Sequence, residues 1–171
     1  MRSSGWRWCS RAVAAALVWG GVATALPARA DLLGELSRAR AELEMGASAP
    51  ALARLKALQA RTDLPDDVTP TVAVLLGAAY LAAGNPAWAL ATLTDHLAHH
   101  PDDCEARTWL ARAWLEQANP DEADAVLDDP ACAGEGPVAV RVALLRALAA
   151  AGAARTGDAA GHWRAAHALP V

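Results

Sequence analysis

Three kinds of pattern are missing from this sequence, and each absence excludes a class of protein. No segment alternates β-branched and polar residues in the manner of a β-strand, which argues against a sheet-based fold. No G-x-S-x-G motif, phosphate-cradling glycine loop or paired-carboxylate cleft is visible, and serine is scarce after residue 30. Because the acids cluster at predicted turns, they suit helix capping and solubility better than catalysis. The sequence therefore predicts an all-α protein that is not an enzyme and needs no cofactor.

Residues 1–30 contain no acid at all, and this sets them apart from the remainder. Four arginines are present there, an apolar stretch runs from Ala12 to Ala25, and small residues stand at Ala28 and Ala30. This arrangement is typical of a secretory signal peptide, with cleavage before Asp31 and a periplasmic or secreted location. The alternative is a retained membrane anchor, but the stretch is short for the ~30 Å of hydrocarbon that a span must cross. We therefore expect no stable membrane span after cleavage.

The predicted mature chain, residues 31–171, is acidic. It keeps all nineteen acids and eleven of the fifteen bases, so that its net charge is −8. Nucleic acid and anionic membranes both require a clustered positive surface. The charge therefore favours a protein partner over nucleic acid.

A repeat with a period of 34 residues runs through the middle of the chain. A shift by 34 places Leu76-Gly77-x-x-Tyr80 on Leu110-Ala111-x-x-Trp114 and Asn85-Pro86 on Asn119-Pro120. Large residues match large ones, small match small, and a turn dipeptide matches itself, as expected for stacked helical hairpins.

Each hairpin also carries start signals for its helices. Thr69-Pro70, Asn85-Pro86 and Asn119-Pro120 each place a capping side chain immediately before proline, and Gly136-Pro137 is a weaker version. Asp102 followed by Glu105 resembles a capping box.

Residues 70–103 resemble a nearly complete tetratricopeptide repeat (TPR), with Leu76, Gly77, Tyr80, Gly84-Asn85-Pro86, Ala89, Leu93 and Pro101 at the family positions. Residues 104–137 are similar but degenerate, and residues 31–69 and 138–171 are atypical, as terminal repeats usually are. The resemblance implies a short right-handed superhelix, an α-solenoid, of about four repeats and eight helices over residues 31–171. The alternative is a plain helical bundle without a concave groove.

The resemblance also implies a binding surface, because the first helix of each TPR lines the concave face of the solenoid. The residues placed there are Arg40, Val74, Ala78, Leu81, Thr108, Arg112, Leu115, Val142 and Arg146. An apolar floor beside arginines predicts a groove for an apolar peptide or helix that bears an acid, because the guanidinium fork suits a carboxylate. The alternative is that these arginines are solvated or paired with neighbouring acids.

Two cysteines, Cys104 and Cys132, follow the predicted cleavage site, and an even count in an exported chain favours a disulfide. The alternative is two free, buried thiols. The histidines His96, His99 and His100 share a helix face, so a metal site is conceivable, although histidines in a last helical turn also interact well with the helix dipole.

The function that these features predict is an exported scaffold that binds a protein of the cell envelope in its concave groove. The alternative is a self-associating structural helical protein without a peptide groove. The sequence leaves monomer and homo-oligomer undecided.

Overall fold

The computed structural model describes residues 22–133, 136–154 and 156–168. Within these residues the chain forms eight α-helices, one short 3-10 helix and no strand. In chain order the helices are α1 (Val22–Glu44), α2 (Ser48–Gln59), α3 (Thr69–Ala82), α4 (Pro86–His99), α5 (Cys104–Glu116), α6 (Pro120–Leu127), the 3-10 helix η1 (Pro130–Cys132), α7 (Pro137–Gly152) and α8 (Thr156–Ala168). The predicted all-α class and the number of helices are confirmed.

The chain divides into two compact units, residues 1–37 and 38–171. Most of the predicted signal peptide, residues 1–21 with Cys9, lies outside the described residues. Helix α1 begins at Val22 and continues without interruption past Asp31, the residue before which cleavage is predicted. In the part of the chain that the structure describes, no helix has both the length and the apolar character needed to span a bilayer.

In the second unit, consecutive helices from α2 to α8 pack against each other as a series of hairpins. The first helices of successive hairpins also touch, since α3 contacts α5 and α5 contacts α7. Each helix therefore meets mainly its neighbours in sequence, which is the packing of a TPR-like solenoid. The plain bundle is not the architecture of this unit.

Two hydrophobic clusters hold the hairpins together, and they meet at α5. The first cluster joins α3, α4 and α5 around Leu93, and the second joins α5, α6 and α7 around Leu127. Both leucines are essentially inaccessible to solvent. Trp114 packs against both clusters, so α5 is shared between two cores.

Equivalent turns end α3 and α5. At the first turn the amide of Asn85 donates to the carbonyl of Tyr80 at 2.9 Å, and at the second Asn119 donates to Trp114 at 3.0 Å. The residues before these asparagines, Gly84 and Ala118, have φ of +72° and +58°. This is the Schellman geometry that closes a helix with a left-handed residue.

The same left-handed conformation fixes the register of every hairpin. It occurs at Gly46, Gly84, Ala118 and Ala154, which close α1, α3, α5 and α7. The interval between Gly84 and Ala118 is the predicted 34 residues, but the interval between Ala118 and Ala154 is 36. Helix α7 is correspondingly longer than α5, with sixteen residues against thirteen. The uniform 34-residue spacing expected for residues 138–171 is therefore wrong in α7 by two residues.

The predicted helix starts are in place, but their side chains behave differently. Asn85 and Asn119 stand at the N-cap of α4 and α6 without making a capping bond, and the Asn85 side chain donates instead to the carbonyl of Ala83. The N-cap of α5 is Asp103, whose carboxylate accepts from the amide of Ala106 at 3.0 Å. The predicted cap at Asp102 is thus displaced by one residue.

Candidate binding wall on α5 and α7

Five of the nine predicted contact residues do not project from the protein. Their side chains are buried between the helices, at 3–7% exposure: Val74, Ala78, Leu81, Thr108 and Val142. Val74 and Leu81 belong to the first hydrophobic cluster and Val142 to the second. The expectation that all nine side chains point into a groove is therefore wrong for these five, which stabilise the wall from behind.

Arg112 is exposed and lies on the outer face of α5. Its Nε is 3.3 Å from a carboxylate oxygen of Glu116, one turn later, and its guanidinium lies over the ring of Trp109 at 5.8 Å from the centroid. An exposed pair of this kind contributes at most about 1 kcal/mol, since water screens it. A carboxylate from a partner would therefore replace Glu116 at small cost.

Arg40 is also exposed, and Leu115 is half-buried. Leu115 rests on the second cluster, next to Val142 and Ala149 of α7. Its remaining surface lies one turn along α5 from Arg112, on the same face of the helix.

Arg146 has a different environment from Arg112, although both were assigned to the same repeat position. Arg146 is half-buried and forms ion pairs with Asp124 at 3.4 Å and Asp128 at 2.5 Å, both contributed by the region of α6. It therefore links α7 to α6, and its charge is already compensated by two acids.

The residue that corresponds to Arg112 in α7 is Leu148. Both stand six residues before the left-handed turn residue of their hairpin, Ala118 or Ala154. Leu148 is 60% exposed, which is unusual for a leucine in a packed helical pair.

A stripe of α7 thus replaces the predicted third set of contacts. Arg141 is exposed, Leu144 is half-buried and Leu148 is exposed, and their spacing of three and four residues places them on one helix face. Together with Arg112 and Leu115 of the neighbouring α5, they form what we call the α5–α7 wall. Leu144 and Leu148 could have been found from the sequence if the turn at Ala154 were visible there, but an alanine gives no turn signal.

The link between α6 and α7 is fastened to the first turn of α5 at two points. A disulfide joins Cys104, the first residue of α5, to Cys132, with the two sulfurs 2.07 Å and the two Cα atoms 5.2 Å apart. Arg107 forms an ion pair with Asp129 at 2.6 Å and donates to the carbonyl of Val126 at 3.3 Å.

A cavity of about 340 Å³ lies between this link and α7. Its lining includes Asp128, Asp129, Cys132, Val142 and Arg146. Because its arginine and both acids already form ion pairs with one another or with Arg107, the cavity offers no uncompensated charge to a ligand.

The histidines near the end of α4 have a structural role. His96 is buried, its Nε2 is hydrogen-bonded to Asp103 at 2.9 Å, and its ring stacks on His100 at 4.8 Å. His99 is exposed and hydrogen-bonded to the carbonyl of Asp95. Among the described residues, no group of three or more histidine, cysteine or acidic side chains is arranged to hold a metal ion.

An aromatic stack lies on α2, α3 and α4. Tyr80 stacks on Trp88, which is 63% exposed, with ring centroids 6.0 Å apart. The ammonium of Lys56, the single lysine of the sequence, lies 5.2 Å from the centroid of Tyr80. The sequence reasoning above did not assign a role to Trp88 or Lys56.

The link between α2 and α3 carries an exposed ion pair. Two hydrogen bonds from Arg61, of 3.0 and 2.8 Å, lower the pKa of the Asp63 carboxyl, and the same bonds raise the pKa of the guanidinium. Because both side chains are exposed, water screens the pair and its effect on stability is small.

Comparison with known families gives a match over the centre of the chain. Residues 72–131, about a third of the sequence, match a family model described as a tetratricopeptide repeat. The match covers α3 to α6 and supports the TPR superfamily for this region. No significant match was found among curated proteins or solved structures.

Proposed function

We propose that this protein is an exported scaffold whose α5–α7 wall binds a peptide or helix of a cell-envelope protein. TPR repeats generally mediate protein–protein interaction, and the family match supports that general role. Export is supported by the basic, apolar and small-residue pattern of residues 1–30.

The observation that carries the proposal is the exposed Leu148 between the two arginine positions of the wall. Exposing an apolar side chain in this way is common where a partner covers it. Arg112 and Arg141 are exposed on the same two helices, so they can donate to carboxylates of a bound segment. The preferred partner is therefore an amphipathic segment with an apolar side chain for Leu148 and an acid for one of the arginines.

The proposal is tested by a crosslinking pull-down from the native envelope with two matched variants. The wall variant carries Arg112→Ala, Arg141→Ala and Leu148→Ser, and we expect it to lose the captured protein by at least about tenfold, since each lost contact contributes on the order of 1 kcal/mol. The control is Arg146→Ala, an arginine of α7 that faces α6. It should lower stability but retain the captured protein.

Equal recovery with the wild type and the wall variant would remove the wall from the proposed function. The competing interpretation is a self-associating helical protein, for which the exposed Trp163 and Leu148 offer apolar surface. In that case size-exclusion chromatography without any partner should show a concentration-dependent mass that the Leu148→Ser change abolishes.

A further inference from the structure

The link between α6 and α7 has an unusual connection to the rest of the repeat. It leads directly into α7, which carries half of the α5–α7 wall. The link from α4 to α5 spans four residues, His100–Asp103, whereas residues 128–136 separate α6 from α7. The two fastenings of this longer link, the disulfide and the Arg107–Asp129 pair, both end on the first turn of α5.

The disulfide lies inside the core on which the wall rests. Cys132 is 7% exposed and belongs to the second cluster with Val142 and Ala149 of α7, while Cys104 packs against the same cluster. Breaking the sulfur–sulfur bond would therefore remove a covalent tie between α5 and the segment that positions α7. The ion pair would remain, but its charged groups are 18% and 31% exposed and hold the link by a single contact surface.

We infer that the Cys104–Cys132 disulfide is a redox-sensitive fastening that holds α7 in place against α5, so that the oxidation state of this bond controls the wall. This inference rests on the proposed function for its consequence, which is that a partner binds the oxidised chain more tightly than the reduced chain. Its structural content concerns α7 alone.

The reductant in this step is a dithiol. Its thiolate attacks the sulfur of Cys104, the more accessible of the two, and the sulfur of Cys132 leaves as a thiolate. The second thiol of the reductant then attacks its own sulfur in the mixed disulfide and releases Cys104. Two electrons pass to the protein, the two cysteines take up protons as thiols, and the reductant leaves as a cyclic disulfide. Cys104 is the first residue of α5, where the helix dipole stabilises a departing thiolate.

Hydrogen exchange on the full chain tests the inference, with dithiothreitol as the probe. Reduction should speed amide exchange at least about tenfold in η1 and the first two turns of α7, because local opening no longer has to break a covalent bond. Exchange in α3 and α4 should stay the same, since those helices belong to the other cluster. The Cys104→Ser/Cys132→Ser variant should reproduce the reduced pattern without reductant.

The Arg107→Ala variant separates the two fastenings. In the oxidised chain it should change exchange in η1 only slightly, whereas in the reduced chain it should accelerate it further. Unchanged exchange of α7 on reduction would overturn the inference, and so would an equal acceleration in α3 and α4, which would make the bond a general stabiliser. Because exchange is measured without a partner, a failed pull-down leaves this result intact and bears only on the proposed function.

Discussion

Gly77 and Leu93 are the closest contact between two helices that the sequence made visible. A Cβ built on Gly77 would lie 2.6 Å from both Cγ and Cδ2 of Leu93. Leu93 is fully buried, so it has little room to move. We predict that Gly77→Ala lowers the free energy of unfolding by about 1–3 kcal/mol, the usual cost of overpacking a core. Urea denaturation followed by circular dichroism measures this loss.

The matched control is Gly161→Ala, also within a helix but with no atom near the added methyl group. There alanine should raise stability by about 0.5–1 kcal/mol through its higher helix propensity. If both substitutions stabilised the protein, the close approach of α3 and α4 would be wrong.

The residue scale also shows where sequence reasoning succeeds. Gly77 and Ala111 were matched as small residues and are buried, since a small side chain in a repeated position reports a steric constraint directly. Asn85 and Asn119 mark helix starts correctly, but the sequence does not say whether a side chain bonds its own helix. In Asn85 the amide prefers the carbonyl of Ala83.

At the scale of a single helix, the start of α5 depends on Asp103. One carboxylate oxygen caps the amide of Ala106 and the other is hydrogen-bonded to the buried His96 of α4. We predict that Asp103→Ala destabilises the protein by about 1–3 kcal/mol, since it removes a cap and leaves a buried imidazole without its partner. Thermal or urea unfolding checks the value.

Asp102 provides the comparison, because it is the neighbouring acid and is exposed. Asp102→Ala should change stability by less than about 0.5 kcal/mol. Asp103→Asn should recover part of the loss, since an amide oxygen still caps the helix. A larger effect at Asp102 than at Asp103 would restore the cap that the sequence alone suggested.

The helices themselves could be predicted, but the register of α7 could not. Proline after a capping residue located the start of α4 and α6, and the repeat located their ends. The end of α7 is closed by Ala154, an alanine in a left-handed conformation that costs it about 1–2 kcal/mol relative to glycine. Counting forward by 34 therefore selected Arg146, which faces α6, in place of the exposed Leu148.

At the scale of the whole second unit, two cores share α5, and damage to one should stay partly local. Leu93→Ala and Leu127→Ala each remove a fully buried side chain and should each cost about 2–5 kcal/mol. We predict that Leu93→Ala reduces exchange protection most in α3 and α4, and Leu127→Ala most in α6 and α7, because stacked repeats interact with their neighbours alone.

Hydrogen exchange resolved by peptide compares the two variants at equal temperature and pH. Helix α5 should lose protection in both, since it belongs to both clusters. An identical pattern of loss in the two variants would mean one cooperative core instead of a stack. The stacking itself was predictable because the repeat recurs along the chain, whereas the split between two clusters depends on which side chains of α5 face which neighbour.

The position of Lys56 decides what an amine-reactive reagent can report about this protein. The sequence has no other lysine, so apart from the terminal amine such a reagent labels one side chain, and that side chain rests on Tyr80. The α5–α7 wall carries guanidinium groups, which these reagents leave untouched. A conventional lysine crosslinker would therefore capture neighbours of α2 and miss a segment bound along α5 and α7, and a photoreactive group placed at Leu115 is the suitable bait.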